Sequence, residues 1–349
     1  MTNHEFHLTI DHGSYGRDDD HKCPNDVEHG SCGSFSSDVQ YHRSLNKAIF
    51  VPPIETISPS DSPASQAISA EEQARIDYQI YINNLRTTDV ESSSKLSACL
   101  AVFDQRPYVL DPIGDGANDH LDARPLVNTM AFDCMTLCST VIAMVASKSF
   151  DDFLSNLDRV RYGNRPSGYL NRHHFIESQW NISNRALGFL KNQMPALSSV
   201  GLVDHVEQLL NYPAWLTYQQ DYVQKNKKKT VFLKDIPHVF DYGAPETVVI
   251  DTLTLDNAKQ VLQDSATHAL LDECVMQLVC PNWAIAEKIG TSIAICHLGM
   301  TTLRHGRLYF THAKVGHSVV TTLLQTYLDE VAAHLPHVKG IRFERILYD

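Results

Sequence analysis

The chain has 349 residues, of which 43% are hydrophobic, so it can bury at least one full core. Its formal net charge is −12, from 41 acidic and 29 basic residues, and with no long basic stripe this argues against nucleic-acid binding. No window of about 18 apolar residues exists, which argues against a membrane span. The first residues lack the pattern of a signal peptide, so we expect a protein that is cytoplasmic as synthesised, with export by a signal-peptide-independent system left open.

The cysteines indicate neither a disulfide scaffold nor a metal site. There are eight, none of which form a CxxC pair, and they are sparse for a chain of this length. Those beyond residue 70 mostly lie in apolar runs, as reduced and buried thiols do, which favours a reducing compartment. The spacing of His21, Cys23, His29 and Cys32 matches no standard zinc site. We therefore expect no metal ion and no cofactor.

The N-terminal region differs from the rest in composition. Residues 1–70 are rich in His, Asp, Ser and Gly, which predicts a disordered or extended polar tail. Order is expected to begin at the capping pattern of Ser69, in a helix that carries Ile76 and Ile80. A second helix is predicted from about Ser93 to Val102. An irregular, Gly- and Asp-rich stretch follows over 104–128 and is typical of a loop that lines a site.

The next segment predicts a helix that begins at a cysteine. Leu137, Val141 and Met144 recur at helical spacing after Cys134. Unpaired N–H groups and the helix dipole at this position favour a negative charge, so we expect the thiol pKa to be lowered toward neutrality. The same N–H groups could hold an oxyanion. Taken alone, Cys134 could equally pack as a small hydrophobe.

Downstream of this helix, a second Ser-capped helix is predicted from Ser149, followed by a stretch crowded with aromatic and basic residues up to Trp180. The part from 185 to 285 is poorly defined, with one clear short strand at 248–253. Two strands, 292–300 and 308–314, are predicted around a turn at His305 and Gly306. An amphipathic helix (321–334) and a closing strand from Gly340 complete the chain. Helices followed by an antiparallel sheet indicate the α+β class.

The predicted hairpin supplies a partner for the cysteine. If 305 and 306 form a two-residue turn, His297 faces 314, and His312 lies diagonal to it on the same face, within side-chain reach. His297 could then act as the base for Cys134, while His312 bonds the other ring nitrogen and fixes the tautomer. Cys296 is expected to point to the opposite side of its strand.

These segments resemble one family. Phe132–Thr136, Arg159–Tyr162, Arg172–Phe175, Cys296–Met300 and Leu308–Ala313 are similar to motifs of the N-acetylmuramoyl-L-alanine amidase-like branch of the NlpC-type, papain-like cell-wall cysteine hydrolases. The resemblance covers roughly residues 95–347. It implies a circularly permuted papain-like fold over 71–349, with N-terminal helices packed on a mixed or antiparallel sheet. It also implies hydrolysis of the amide that joins N-acetylmuramic acid to L-alanine in peptidoglycan fragments (muropeptides).

The resemblance and the residues together give a set of site predictions. The catalytic candidates are Cys134, His297 and His312. Tyr108 looks like the family tyrosine that frames the substrate, and the other substrate-binding candidates are Arg161, Tyr162, Arg172 and His174. Arginine suits the free carboxylates of a murein stem peptide, although some of these side chains could serve only to pack the region between helix and sheet.

Three alternatives stay open at this point. The same Cys–His core could act on a non-murein amide as a secreted effector, with export machinery or a target-cell protein as partner. It could also transfer the acyl group to an acceptor other than water. A catalytically dead binding module is the third alternative.

Overall fold

The computed structural model describes residues 68–87, 94–113, 127–199, 203–227 and 238–348. The predicted tail up to residue 67 lies outside these residues, together with His21, Cys23, His29 and Cys32.

Helices occupy most of the first half of the described chain and cover the sheet in the second half. They are α1 (Ala70–Thr87), α2 (Lys95–Phe103), α3 (Cys134–Val145), α4 (Phe150–Tyr162), α5 (Asn181–Ala186), α6 (Met194–Leu197), α7 (Tyr212–Lys227), α8 (Leu255–Gln263), α9 (His268–Leu271), α10 (Ala286–Ile289) and α11 (Leu324–His334). Single turns of 3₁₀-helix at Tyr169–Asn171 and Ser265–Thr267, and of π-helix at Ile176–Trp180, join some of them.

The first helix begins where the sequence predicts but buries a different face. The hydroxyl of Ser69 accepts a hydrogen bond from the Glu72 N–H (3.1 Å), which caps α1. Ile76 and Ile80 are 41% and 42% exposed. The helix is instead turned so that Asp77 is buried and pairs with Arg106 at 2.8 Å. A buried carboxylate is tolerated only when it is paired, and Asp77 shares the buried face of α1 with Ala74, Tyr78 and Tyr81.

The strands form one antiparallel sheet. They are β1 (Leu190–Asn192), β2 (Val203–Leu210), β3 (Glu246–Thr254), β4 (Cys274–Val279), β5 (Ile295–Arg304), β6 (Arg307–Ala313), β7 (Val319–Leu323) and β8 (Gly340–Ile346). The order is β2-β3-β8-β4-β5-β6-β7, and β1 pairs with β8 beside this path. Every strand pairing among the described residues is antiparallel, so the predicted α+β class with an antiparallel sheet is confirmed.

The β5–β6 hairpin has the predicted register. His305 and Gly306 have positive φ angles of 49° and 73°, as a two-residue turn of type I′ requires. Arg304 therefore pairs with Arg307, and the ladder continues to Met300 opposite Thr311. This register brings positions 297 and 312 to one face of the sheet.

Helices cover both faces of the sheet, rather than only one. On one face, α1–α4 pack on Val275, Leu298, Met300 and Ala313. On the other face, α8 and α11 pack on a second set of strand residues, which includes Phe310. Each strand of the middle of the sheet is therefore buried on both sides, and apolar residues occupy both faces of β4 and β5.

The poorly defined central part supplies one edge of the sheet. The predicted short strand lies within β3, which pairs with β2 along its length and with β8 at its end. The other described residues of this part include β1, α6–α9 and β4. None of the helices in the described part of the chain is long and apolar enough to cross a membrane.

The expectation that the cysteines beyond residue 70 are reduced thiols is wrong for two of them. A disulfide joins Cys280, which follows β4, to Cys296 in β5. The two residues are 16 positions apart in sequence, and the antiparallel pairing of β4 with β5 brings them together. Cys99, Cys138 and Cys274 are buried free thiols, as expected, and Cys134 is a partly exposed one.

Gly299 allows β5 and β6 to approach each other beside the two histidines. A Cβ atom at Gly299 would lie 2.5 Å from the Phe310 ring and 2.6 Å from the Thr311 carbonyl oxygen. We expect Gly299→Ala to lower the free energy of unfolding by about 1–3 kcal/mol because the ring and the backbone must both shift. Urea denaturation would measure the change. Gly168→Ala is the matched control, since a Cβ there meets nothing within 4 Å; equal stabilities of the two variants would contradict the prediction.

Candidate functional site

The start of α3 is fixed by a capping box. The Asp133 carboxylate accepts hydrogen bonds from the Thr136 N–H (2.6 Å) and hydroxyl (2.8 Å), while the Asp133 N–H donates back to that hydroxyl (3.0 Å). These bonds satisfy N–H groups that the first turn of a helix leaves unpaired. Cys134 is therefore held as the first residue of the helix, as the sequence predicted.

The Cys134 sulfur lies against β5. The backbone N–H groups of Leu298, Cys134 and Met135 are close enough to the sulfur to favour its charged form. Leu298 directly follows His297, so the strand that carries the histidine contacts the cysteine. Packing of the α3 residues Leu137 and Val141 in the same core as the Leu298 side chain holds the two elements together.

The pKa of the Cys134 thiol is raised, whereas the sequence predicted that it is lowered. Burial, and secondarily the Asp133 carboxylate, raise the pKa of Cys134 to about 12, and the three N–H groups offset only part of this rise. The predicted lowering considered the helix start alone, whereas the desolvation caused by β5 and the surrounding side chains is the larger effect. Cys134 is therefore a neutral thiol at pH 7 in the free protein.

The two histidines are hydrogen-bonded to each other. Nε2 of His297 and Nδ1 of His312 are 2.7 Å apart, and both side chains are buried. The ring of His312 also packs against Phe310 and Tyr327, with ring centroids 5.0 Å from each. The predicted contact between the imidazoles is thus present, and aromatic neighbours hold His312 in place.

Burial also decides the charge of this pair. It lowers the pKa of His297 to about 4 and lowers the pKa of His312 well below the ordinary value, with the nearby His297 and Lys314 adding to the second shift. Both rings are therefore neutral at pH 7, and one of them donates the shared hydrogen bond. If His297 donates from Nε2, its Nδ1 carries a lone pair and can accept a proton.

Cys134 and His297 line the same cavity, which has a volume of about 160 Å³. No hydrogen bond between the sulfur and the His297 ring is present among the described residues. Catalytic hydrogen bonds are often long in unliganded enzymes and tighten when substrate binds. The arrangement brings together a thiol, an imidazole and helix-start N–H groups at one opening.

Four of the five predicted substrate-binding residues line this cavity: Tyr108, Arg161, Arg172 and His174. Tyr162 does not line it and is 1% exposed. Nε2 of His174 bonds the Tyr169 carbonyl oxygen at 2.6 Å. Tyr108 reaches the site because bridges to Phe132, just before α3, and around Ser318, just before β7, fix its segment.

The cavity wall carries two guanidinium groups close to each other. Arg161 is 4% exposed, and burial, opposed in part by nearby Tyr162, Asp133 and Asp158, lowers its pKa to about 10, with repulsion from Arg172 contributing. Arg172 lies 3.7 Å from the Asp111 carboxylate. Both arginines remain charged at pH 7, so this side of the cavity favours an anionic ligand.

Several residues of the cavity were not among the sequence predictions. Glu177 is buried, accepts a hydrogen bond from the Ala294 N–H (2.8 Å) and has a pKa raised by burial. His173 is held neutral between Val160 and Arg165, and burial lowers its pKa to about 4. Both lie in the segment 159–180 that the sequence marks as rich in aromatic and charged residues, so this density was the available signal.

Asp111, Trp215 and Gln219 also line the cavity. Trp215 and Gln219 come from α7, which no motif identifies.

The Asp133 charge can be separated from its capping role. Asn at position 133 can still cap α3 but carries no charge. We expect Asp133→Asn to lower the pKa of Cys134, because the carboxylate raises it, and therefore to speed alkylation of Cys134 at a fixed pH near 9. Peptide mass spectrometry after timed labelling would measure the rate. Asp133→Ala, which loses the cap and about 1 kcal/mol of stability, separates the two effects; an unchanged labelling profile in Asp133→Asn would refute the electrostatic role.

Comparison with known proteins gives a family and several structural neighbours. A family model described as AmiA-like, N-acetylmuramoyl-L-alanine amidase-like, matches residues 99–334. A Legionella pneumophila protein of family DUF1460 has 24% identity and a TM-score of 0.63, covering 80% of this chain and 96% of its own. An N-acetylmuramoyl-L-alanine amidase from Bacteroides uniformis has 20% identity and a TM-score of 0.51, covering 71% and 96%.

A Bacteroides fragilis protein provisionally assigned as a xylanase has 21% identity and a TM-score of 0.51, covering 71% of this chain and 98% of its own. No protein with a curated description matches the sequence. At these identities the structural neighbours show a shared fold. The family model spans more than half of the sequence, and the chain therefore belongs to the AmiA-like, N-acetylmuramoyl-L-alanine amidase-like family.

Proposed function

We propose that this protein is a cysteine-dependent amidase that hydrolyses the N-acetylmuramoyl-L-alanine bond of peptidoglycan fragments through a thioester. The observation that carries the proposal is the bonded pair of His297 and His312 opening on the same cavity as Cys134, at the start of a helix. Family membership supports the substrate class. A helix that begins with the cysteine and precedes the histidine strands also supports a papain-like fold, and the circularly permuted form is proposed from the family resemblance.

In the first step, His297 acts as general base. Cys134 and His297 are both neutral at rest, so the proton moves from the sulfur to Nδ1 as the sulfur attacks the lactyl carbonyl carbon. The imidazolium that forms donates its Nε2–H to His312. Burial makes an early thiolate unfavourable, which couples the proton transfer to the attack.

The N–H groups around Cys134 are the candidates for stabilising the oxyanion. Donors that are already oriented and buried stabilise a developing negative charge more than water does. Those of Cys134 and Met135 belong to the first turn of α3, where the helix has no acceptor for them. Collapse of the tetrahedral intermediate breaks the C–N bond, and His297 gives its proton to the leaving amine of L-alanine.

In the second step, water resolves the thioester. His297, neutral again, takes a proton from water as the oxygen attacks the thioester carbonyl, and the proton returns to the Cys134 sulfur on release of the muramic acid. These steps use only side chains and N–H groups of this chain.

Arg161 and Arg172 are proposed to hold carboxylates of the stem peptide. Burial is the main cause that lowers the pKa of Arg161, and repulsion from Arg172 adds to it; a carboxylate bound between the two arginines would offset both effects. Guanidinium groups bind carboxylates through two parallel hydrogen bonds. Tyr108 and His174 line the same cavity and are proposed to frame the peptide. Tyr162, which does not line it, is proposed to act through the packing of α4.

The nucleophile is tested by removing its sulfur. We expect Cys134→Ala to abolish release of intact stem peptide from a muropeptide, because no other group can form the acyl intermediate. Mass spectrometry of the products would identify the bond cleaved. Cys138→Ala is the matched control, since Cys138 lies one turn along α3, is buried, and does not line the cavity; it should retain activity.

Other outcomes separate the alternatives. Cleavage of non-murein amides alone, dependent on Cys134, would contradict the peptidoglycan substrate and favour an effector. Transfer of the acyl group to an added amine in preference to water would favour an acyltransferase. Absence of both cleavage and thioester formation would leave a binding module.

The role of Arg172 is tested by removing the charge of the arginine and, separately, the charge of the stem-peptide carboxylates. We expect Arg172→Gln to raise KM about tenfold for a muropeptide with free stem carboxylates, because a charged hydrogen bond contributes about 1.5–3 kcal/mol. The effect should shrink for the amidated muropeptide. Arg159→Gln is the control, since Arg159 is exposed on α4 and away from the cavity. Equal losses for both substrates would overturn carboxylate recognition by Arg172.

A further inference from the structure

One cluster of metal-ligating side chains among the described residues includes a residue of the cavity wall, Cys296, and two residues that do not line the cavity. It consists of Cys280 after β4, Cys296 in β5, and His337 in the connection between α11 and β8. The two sulfurs and a ring nitrogen of His337 all lie within 4.8 Å of one another. Three separate segments therefore converge on one point, and the disulfide accounts for only two of them.

His337 is the member that a structural disulfide leaves unexplained. Its Nε2 atom is inaccessible to solvent and makes no hydrogen bond in the described part of the chain. A buried nitrogen without a partner is costly and indicates a missing water, ion or ligand. The ring is held by stacking on Trp283, with centroids 5.6 Å apart and planes 12° apart. Its orientation is therefore fixed before any ligand binds.

The donor set suits a soft divalent cation. Zinc binds cysteine sulfur at about 2.3 Å and imidazole nitrogen at about 2.0–2.1 Å, and a tetrahedral ion keeps two such sulfurs about 3.8 Å apart. The Cα atoms of Cys280 and Cys296 are 6.0 Å apart, which allows this separation after small side-chain rotations. Two thiolates and one neutral imidazole leave the fourth position to water.

We propose that the Cys280–Cys296 pair and His337 form a redox-gated zinc site. In the oxidised protein the sulfurs are bonded to each other and cannot bind the ion. A dithiol reductant would supply two electrons and two protons, breaking the S–S bond to give two thiols while the dithiol becomes a disulfide. Binding of Zn²⁺ then releases the two thiol protons and forms two Zn–S bonds and one Zn–N bond.

Cobalt(II) is the probe for the test because a tetrahedral thiolate site gives it visible d–d bands and a sulfur-to-metal charge-transfer band. The protein is the full chain carrying Cys23→Ser and Cys32→Ser, so that the N-terminal cysteines cannot contribute. After reduction under anaerobic conditions we expect one equivalent of Co²⁺ to bind with both spectral features, and Zn²⁺ to displace it. The same protein with its disulfide intact should bind none, which provides a control without further substitution.

Variants assign the ligands. We expect His337→Ala to weaken Co²⁺ binding at least tenfold and Cys280→Ser to abolish the charge-transfer band of a two-thiolate site. Cys134→Ala should bind as the parent does, since the Cys134 sulfur is not one of the three ligand atoms that converge. Circular dichroism verifies that each variant is folded. Absence of cobalt–thiolate absorption in the reduced parent, or binding unaffected by both His337→Ala and Cys280→Ser, would overturn the proposal.

Discussion

The packing of α3 against β5 is the contact on which the rest of the site depends. Leu137 and Val141 of the helix and Leu298 of the strand are fully buried in one core, and each such side chain contributes about 1.5–3 kcal/mol. This core fixes where the helix begins relative to the strand. Because Leu298 follows His297, the same contact brings Cys134 to the cavity that His297 also lines. Stability and site geometry thus come from the same side chains, and a change that loosens this core would alter both.

That packing also has an electrostatic cost. Removing water raises the pKa of Cys134 and lowers that of His297, so a thiolate–imidazolium pair is disfavoured in the free protein. The hydrogen bond between His297 and His312 offsets part of this cost. His312 can accept a hydrogen bond from the His297 imidazolium without charge repulsion as long as it is neutral itself, and burial keeps it neutral. The Cys134 thiol is therefore unreactive in the absence of substrate, because it reacts only when an acyl carbon is positioned to accept the electron pair of the sulfur.

The sequence predicted those elements of the site that local interactions determine. It did not predict the features that depend on contacts between residues far apart in the chain. The cap at Asp133 and the turn at His305 act over a few residues, so the helix start and the hairpin register were readable. The buried face of α1 includes Asp77, whose ion pair with Arg106, 29 residues along the chain, is a long-range contact that helical periodicity does not reveal. Likewise the thiol pKa depends on burial by β5, more than 150 residues away in sequence, so a judgement from the helix start alone had the wrong sign.

The division between catalytic core and cavity wall bears on specificity. Activity resides in sites placed on a fold, and neighbours of this fold carry names as different as amidase and xylanase. Cys134, His297 and His312 lie in elements that the sequence predicts from a helix cap and a hairpin turn. Trp215 and Gln219 of the cavity wall belong to α7, which lies in the part of the sequence that gave the fewest predictions. Trp215 is buried in a hydrophobic cluster and Gln219 accepts a hydrogen bond from the Tyr169 hydroxyl (2.9 Å), so long-range contacts, rather than caps or turns, fix these wall residues. Under the proposed function, Arg161 and Arg172 of the cavity wall select the carboxylate-bearing substrate, while Cys134 and His297 cleave the amide that the wall positions.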